Sequence, residues 1–314
     1  MSSPNLLITG ANGFVGFKVL ISALKDGYTV RAAVRSSEKS KALSSHPKIV
    51  ALGMPDKLSF VEVPDICREG AYDEAIKGVT YVIHHASPLP SPLLDPRTEI
   101  YEPTIKSVST VLQAALNEPT VKKVVITSSA FANTPLQPDT TKEIIAESRV
   151  PDLPGPFDSM FPAYIAGKIA ALNMTDRFMK DKQPSLSVQG LNTGSNSVLL
   201  AIITGKSADG PMPAGATHVS DAAKVHLLAL KEGVAKDVGV ITDHRFNDAW
   251  SIVSKHFPKA VGDGVFTQGD QPTVPRYWDA HQTEVDLAFN FKTYEDMVVD
   301  VAGQYLELLG KQKA

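Results

Sequence analysis

Residues 5–9, NLLIT, form an apolar run of strand length that breaks at Gly10 and passes through TGANGFVG into the helical pattern FVGFKVLISALKDG. That order of strand, glycine turn and amphipathic helix admits few folds. Gly10 sits where a tight turn needs a residue without Cβ. Gly13 lets the backbone come close to a bound group, and Gly16 lets the helix pack on the strand. The amides of Asn12, Phe14 and Val15 open the helix, so unpaired N–H groups and the positive end of the helix dipole point at one spot. A pyrophosphate fits there. The spacing Gly10, Gly13, Gly16 in this context predicts the first βαβ turn of a dinucleotide-binding sheet.

Strand and helix patterns then alternate. YTVRAAVR (28–35), LSFVEV (58–63), VTYVIHHAS (79–87) and VKKVVITSS (121–129) read as strands, the last rich in β-branched residues. AYDEAIKG (71–78) reads as a short helix and TEIYEPTIKSVSTVLQAALNE as a long one, with Pro103 marking a kink or a later start. Alternation of this kind builds an α/β Rossmann fold, a doubly wound parallel sheet with helices on both faces. The expected division is a dinucleotide-binding domain over 1–190 and, over 191–314, a small mixed substrate lobe with elements returning to the sheet. FNDAWSIVSKHFP and TYEDMVVDVAGQYLELLG carry apolar residues at helical spacing and are expected as surface helices.

Ligands in such sheets lie at the carboxyl ends of the strands. Asp65 and Ile66 follow the third strand, suited to accept from an adenine amine and to flank its ring. Ala86, Ser87 and Pro88 follow the fourth as a wall along the nicotinamide ribose, and Thr127 closes the fifth. His84 and His85 are expected as hydrogen-bonded structural groups. An NAD site places Asp or Glu at the end of the second strand for the ribose 2′-hydroxyl. This chain has Arg35 there, with Arg31 upstream and Lys39 and Lys41 beyond. Cations suit a 2′-phosphate, so NADPH/NADP is the expected cofactor and Arg35 its main contact.

YIAGK places Tyr164 and Lys168 four residues apart in a helical stretch, on one face. Reduction of a carbonyl delivers hydride to carbon while the oxygen gains charge, so the site must supply a proton and stabilise an oxyanion. Tyr164 is expected to give that proton, with Lys168 lowering its pKa from ~10 and also holding the nicotinamide ribose. Ser129 orients the carbonyl oxygen; Ser128, its neighbour, points the other way on an extended backbone.

Together, TGANGFVG, TVRAAVR, VEVPDI, HHASP, VVITSSA, YIAGK and HVSDAAKVHLLAL resemble the extended short-chain dehydrogenase/reductases, in the group of dihydroflavonol reductase, cinnamoyl-CoA reductase and the fungal aldehyde, ketone and methylglyoxal reductases. The resemblance implies NADPH-dependent reduction of a small-molecule aldehyde or ketone by Ser129, Tyr164 and Lys168, in detoxification or secondary metabolism. One departure stands out. After the YxxxK helix the chain runs DKQPSLSVQGLNTGSNSVLLAIITGK, without the expected proline turn and ~15 to 20 residues short of usual αβ spacing. SLSVQGL (185–191) is expected as a shortened sixth strand, with Thr193 and Gly194 as weak cofactor contacts. In DAAKVHLLALKE, Ser220 or Asp221 is expected to cap the helix and His226 to pack in the core. Two other readings stay open: a sugar-nucleotide epimerase or dehydratase, which shares the scaffold, and a non-catalytic dinucleotide-binding protein.

Composition excludes other classes. With 31 basic and 34 acidic residues the net charge is −3, and the cations are scattered, so nucleic acid is not an expected partner. Cys67 is the single cysteine, which rules out an intrachain disulfide and fits a reducing, cytoplasmic setting. No leader and no membrane-spanning run is read. The eight histidines show no metal-ligand spacing. A monomer or homodimer is expected.

Overall fold

The computed structural model of the chain describes residues 5–91, 93–134, 143–182, 187–191 and 197–311. In chain order the elements are β1 (Asn5–Thr9), α1 (Phe14–Lys25), β2 (Thr29–Val34), α2 (Ser37–Ser44), α3 (Pro47–Val50), β3 (Leu58–Glu62), β4 (Tyr81–His84), α4 (Glu102–Asn117), β5 (Lys123–Thr127), α5 (Met160–Lys182) and β6 (Ser187–Leu191). There follow α6 (Ser197–Ile203), β7 (Met212–Pro213), α7 (Val219–Leu228), β8 (Asp237–Val238), α8 (Asp248–His256), α9 (Pro258–Gly262), β9 (Thr273–Val274), α10 (His281–Leu287) and α11 (Tyr294–Leu308). They fall into two compact units. The first comprises Met1–Leu136, Glu147–Asn192 and Ala222–Val238, and the second Gln137–Ala146, Thr193–Asp221 and Gly239–Ala314. The chain thus leaves the first unit after β6 and supplies it again with most of α7 and with β8.

In the first unit the apolar runs lie side by side as a parallel sheet, in the order β3-β2-β1-β4-β5-β6-β8 among the described residues. Leu6, Leu7, Ile8, Val82, Ile83, Val124 and Val125 are buried along the central strands, as both faces of a helix-covered sheet require. The order reverses between β1 and β4, which opens a crevice at their carboxyl ends. The shortened sixth strand forms: Ser187–Leu191 pairs with Lys123–Thr127 over five residues. Thr193 and Gly194 lie outside the described residues.

Helix α5 packs closely on α4 because its inner face is built from small residues. A Cβ on Gly167 would sit 3.1 Å from Thr104 Cβ and 3.3 Å from the Tyr101 carbonyl. An ion-pair network fastens the far side of α5. Arg149 binds Asp176 of α5 at 2.7 Å and Asp237 of β8 at 2.6 Å, and Lys236 joins Asp176 at 2.5 Å.

Two expectations are corrected here. Residues 71–78 form turns rather than a helix. Gly70 and Gly78, both at positive φ, bracket a stretch too short to repay helix nucleation, and Tyr72 and Ile76 are instead buried as anchors. The helix around Pro103 starts early, as a π-helical turn over Pro96–Tyr101, capped by Asp95. Pro103 is the second residue of α4, just past that π-helical turn.

In the second unit α6, α8 and α11 surround a core of Leu199, Ile202, Phe246, Val253, Phe257, Phe266, Val298 and Leu306. The two stretches expected as surface helices, α8 and α11, therefore each bury one face. A reciprocal capping box between Thr293 and Asp296 starts α11. No helix among the described residues is long and apolar enough to cross a membrane.

Candidate active site

The glycine turn is built as its spacing predicts. Gly10 has φ +68°, and a Cβ there would lie 2.9 Å from the Ala86 amide; a Cβ on Gly16 would lie 2.2 Å from the Gly10 carbonyl. Neither position has room for a side chain. Gly13 N–H closes the turn on the Gly10 carbonyl at 2.9 Å. No side chain caps α1, and its first turn has no acid. Asn12, Gly13 and Phe14 are exposed there, with Val15 half-buried. An uncapped helix start, acid-free and lined by backbone, is an anion site, and it fits a dinucleotide pyrophosphate.

Asp65 and Ile66 follow the carboxyl end of β3, Ala86 to Pro88 follow that of β4, and Thr127 ends β5, all in the one parallel sheet. Asp65 accepts from the Cys67 amide at 2.8 Å, and the Ala86 amide donates to Thr9 Oγ1 at 3.1 Å. Ser87 Oγ lies 3.4 Å from the Pro88 carbonyl. Arg35 is exposed just past β2 and makes no ion pair with described residues. Arg31 does not join it. Its guanidinium donates to the Ala75 and Lys77 carbonyls, both at 2.8 Å, so it clamps the turns that follow β3. Four residues of strand, ~13 Å, separate the two arginines.

Ser129, Tyr164 and Lys168 come together at the end of β5. Ser129 is buried, starts a 3₁₀ turn by accepting from the Phe131 amide, and turns its hydroxyl toward the Tyr164 phenol. Lys168 is buried on the same face of α5, with Nζ 5.8 Å from the centre of the Tyr164 ring. That ammonium turns to the Thr127 carbonyl, at 3.5 Å. Desolvation pushes Lys168 down to about 8. Burial pushes the Tyr164 phenol up, and the Ser129 hydroxyl beside it pulls it only part of the way back. The expected depression of Tyr164 by Lys168 is therefore not seen, because burial outweighs a cation that faces a carbonyl instead of the phenol.

The histidines behave as structural groups. His84 Nδ1 pairs with Thr9 Oγ1 at 2.9 Å, and Tyr72 meets its ring edge-on. His85 Nδ1 pairs with Thr127 Oγ1 at 2.6 Å. The same hydroxyl meets His226 Nε2 at 2.9 Å, and His226 Nδ1 lies 2.7 Å from the Ala222 carbonyl. Sequence reasoning read His226 only as core packing; nothing local shows that a residue 99 positions on lands against the fifth strand. The capping expected of Ser220 or Asp221 is also revised. The helix starts at Val219, and Asp221 accepts from the Lys292 amide at 2.7 Å. Among the described residues no group of three or more ligand side chains could hold a metal.

A doubly wound sheet with a glycine cradle, and a serine, a tyrosine and a lysine gathered at its fifth strand, defines a dinucleotide-binding oxidoreductase. The chain belongs to the NAD dependent epimerase/dehydratase family, whose model matches residues 6–190. A ketoreductase of Cercospora beticola, CTB6, is 32% identical over an alignment spanning all of this chain and 98% of its own. An Alternaria alternata protein named NAD-dependent epimerase/dehydratase ALT6 is 33% identical over 82% of this chain and 84% of its own. The alignment with CTB6 runs to 352 positions against 314 residues here, so the relative carries segments this chain lacks. The fold matches that of Candida albicans Gre2 in complex with NADPH, at TM-score 0.83 and 22% identity, over 97% of this chain and 99% of that one.

Proposed function

We propose that the protein is an NADPH-dependent carbonyl reductase acting on a small aldehyde or ketone. The observation that carries the reading is the meeting of Ser129, Tyr164 and Lys168 at the crevice that the glycine turn opens. Gly10, Gly13, Gly16 and the start of α1 would hold the pyrophosphate, Arg35 the 2′-phosphate, Asp65 and Ile66 the adenine, and Ala86 to Pro88, Thr127 and Lys168 the nicotinamide half. When bound, the reduced cofactor supplies hydride to the carbonyl carbon. Ser129 orients the carbonyl oxygen through its hydroxyl, and Tyr164 gives that oxygen a proton from Oη. The raised pKa of Tyr164 suits this direction, since the phenol enters the reaction protonated. Lys168, at about 8, is mostly charged at neutral pH and offsets the charge left on the tyrosine.

Relatives named ketoreductase, CTB6 among them, support a ketone as acceptor and a place in fungal metabolism. The test is to incubate the purified protein with NADPH or NADH and a panel of aldehydes and ketones, and to identify the alcohols formed. Alcohol formation with NADPH preferred is expected. Conversion of a nucleotide sugar without net cofactor consumption would replace this reading with the epimerase one.

A further inference from the structure

The hydroxyl of Thr127 is the hub of a hydrogen-bond chain whose direction can be assigned. The Ala222 carbonyl can only accept, so His226 carries its proton on Nδ1. Its Nε2 is then a bare acceptor, and the Thr127 hydroxyl must donate to it. Having used its one proton, Thr127 Oγ1 accepts from His85, which is therefore protonated on Nδ1. His85 Nε2 is left as a lone pair without a partner among the described residues. Every donor points the same way and the chain ends on a backbone carbonyl. His226 is fully buried. A chain with a dead end cannot carry protons to solvent; it can only fix atoms in place.

What it fixes is the end of β5. The Thr127 side chain is held from both sides, its carbonyl takes the Lys168 ammonium, and Ser129 follows two residues on. The rings of His85 and His226 also pack against each other, with centroids 4.6 Å apart. We propose that His226 and His85 are positioning residues, which fix Thr127 and through it set Lys168 and Ser129 for the reaction. This rests on the reductase reading of the site. The ionisable groups facing Lys168 are Tyr164 on its own helix and His84 and His85 at the end of β4. Burial holds both histidines neutral, and among the described residues the lysine meets no carboxylate and takes its place from the Thr127 carbonyl.

Two measurements test the proposal. Nitrogen NMR of the histidine rings at neutral pH, which needs no turnover, should show His85 and His226 both neutral and protonated on Nδ1. A proton on Nε2 of His226 would break the chain as assigned. Steady-state kinetics on His226→Leu and His226→Gln form the second arm, since glutamine keeps an acceptor for the Thr127 hydroxyl and leucine does not. We expect His226→Leu to lose ten- to a hundredfold in kcat with KM and NADPH affinity changed less than threefold, and His226→Gln to keep kcat within threefold. Equal losses in both variants, or full kcat in a folded His226→Leu, would overturn the positioning role. If His226→Leu fails to fold, the tautomers of the unmodified protein decide. Absence of carbonyl turnover by the unmodified protein would count against the reductase reading, and the tautomers would still settle the chain.

Discussion

Charge is handled in opposite ways on the two sides of β5 and α5. At the candidate site His84, His226 and Lys168 are buried and His85 half-buried, with no carboxylate beside them among the described residues, and desolvation pushes all four toward their neutral forms. Toward the edge of the sheet, Arg149 is matched by Asp176 and Asp237, and Asp176 by Lys236, so every charge has a partner. The second arrangement is what a structural fastener needs. The first works against folding, and buried ionisable groups without an opposite charge mark places where chemistry, not stability, set the residues.

The largest effect that would break the comparison is on Lys168. Its pKa in the folded protein is about 8 against 10.5, a difference worth about 3 kcal/mol against folding at neutral pH. Because the folded value is the lower one, the unfolded chain holds the proton more tightly. The penalty is full below pH 8 and fades as pH rises toward 10.5. Lys168→Met should therefore abolish turnover yet raise the unfolding free energy at pH 7, by up to ~3 kcal/mol in denaturant titrations. A destabilised variant would mean that the lysine is a structural pair after all.

His226 gives a similar effect on the acid side. With a folded pKa of about 4 against 6.5, the unfolded chain takes up the proton first as pH falls. Stability should drop by about 3 kcal/mol between pH 6.5 and 4 from this ring alone. His226→Leu should flatten that part of the stability profile; an unchanged slope would contradict neutral burial.

Smaller effects are expected at the fastener. Arg149→Ala leaves Asp237 nearly buried without its cation, and should cost about 1–2 kcal/mol after allowance for solvent screening. The Asp176–Lys236 pair stays, so loss of the whole fold would show that the network does more than hold an edge. Smallest is Arg35, which is exposed and should leave stability unchanged. Arg35→Ala should weaken NADPH about tenfold relative to NADH, on the order of 1.4 kcal/mol, in fluorescence titrations. An unaltered preference would move 2′-phosphate recognition elsewhere.

The contrast also explains what could be read from the chain beforehand. TGANGFVG, the apolar strands and YIAGK are local signals, in which turn geometry, burial on both faces and helical spacing act within a few residues. They located the cradle, the sheet and the Tyr164–Lys168 face. Ser129 could be chosen over Ser128 because strand alternation is equally local, and the Ser129 hydroxyl lies on the Tyr164 side. What escaped was long-range. His226 reaches Thr127 across 99 positions, and Arg149 reaches Asp237 across 88. Arg31 looked like a cofactor cation because its carbonyl partners lie 44 and 46 residues on. The stretch at 71–78 has helix-forming residues, but the glycines at 70 and 78 and the burial of Tyr72 and Ile76 decided its form.

The central claim is that Tyr164 is the proton donor of a carbonyl reduction, and Tyr164→Phe tests it most directly because it removes one oxygen from the site. Turnover of an accepted ketone with NADPH should fall by roughly 10²–10⁴-fold, the usual worth of a positioned general acid, while NADPH affinity stays within about twofold. Turnover equal to that of the unmodified protein, with the variant folded and binding NADPH, would contradict the account.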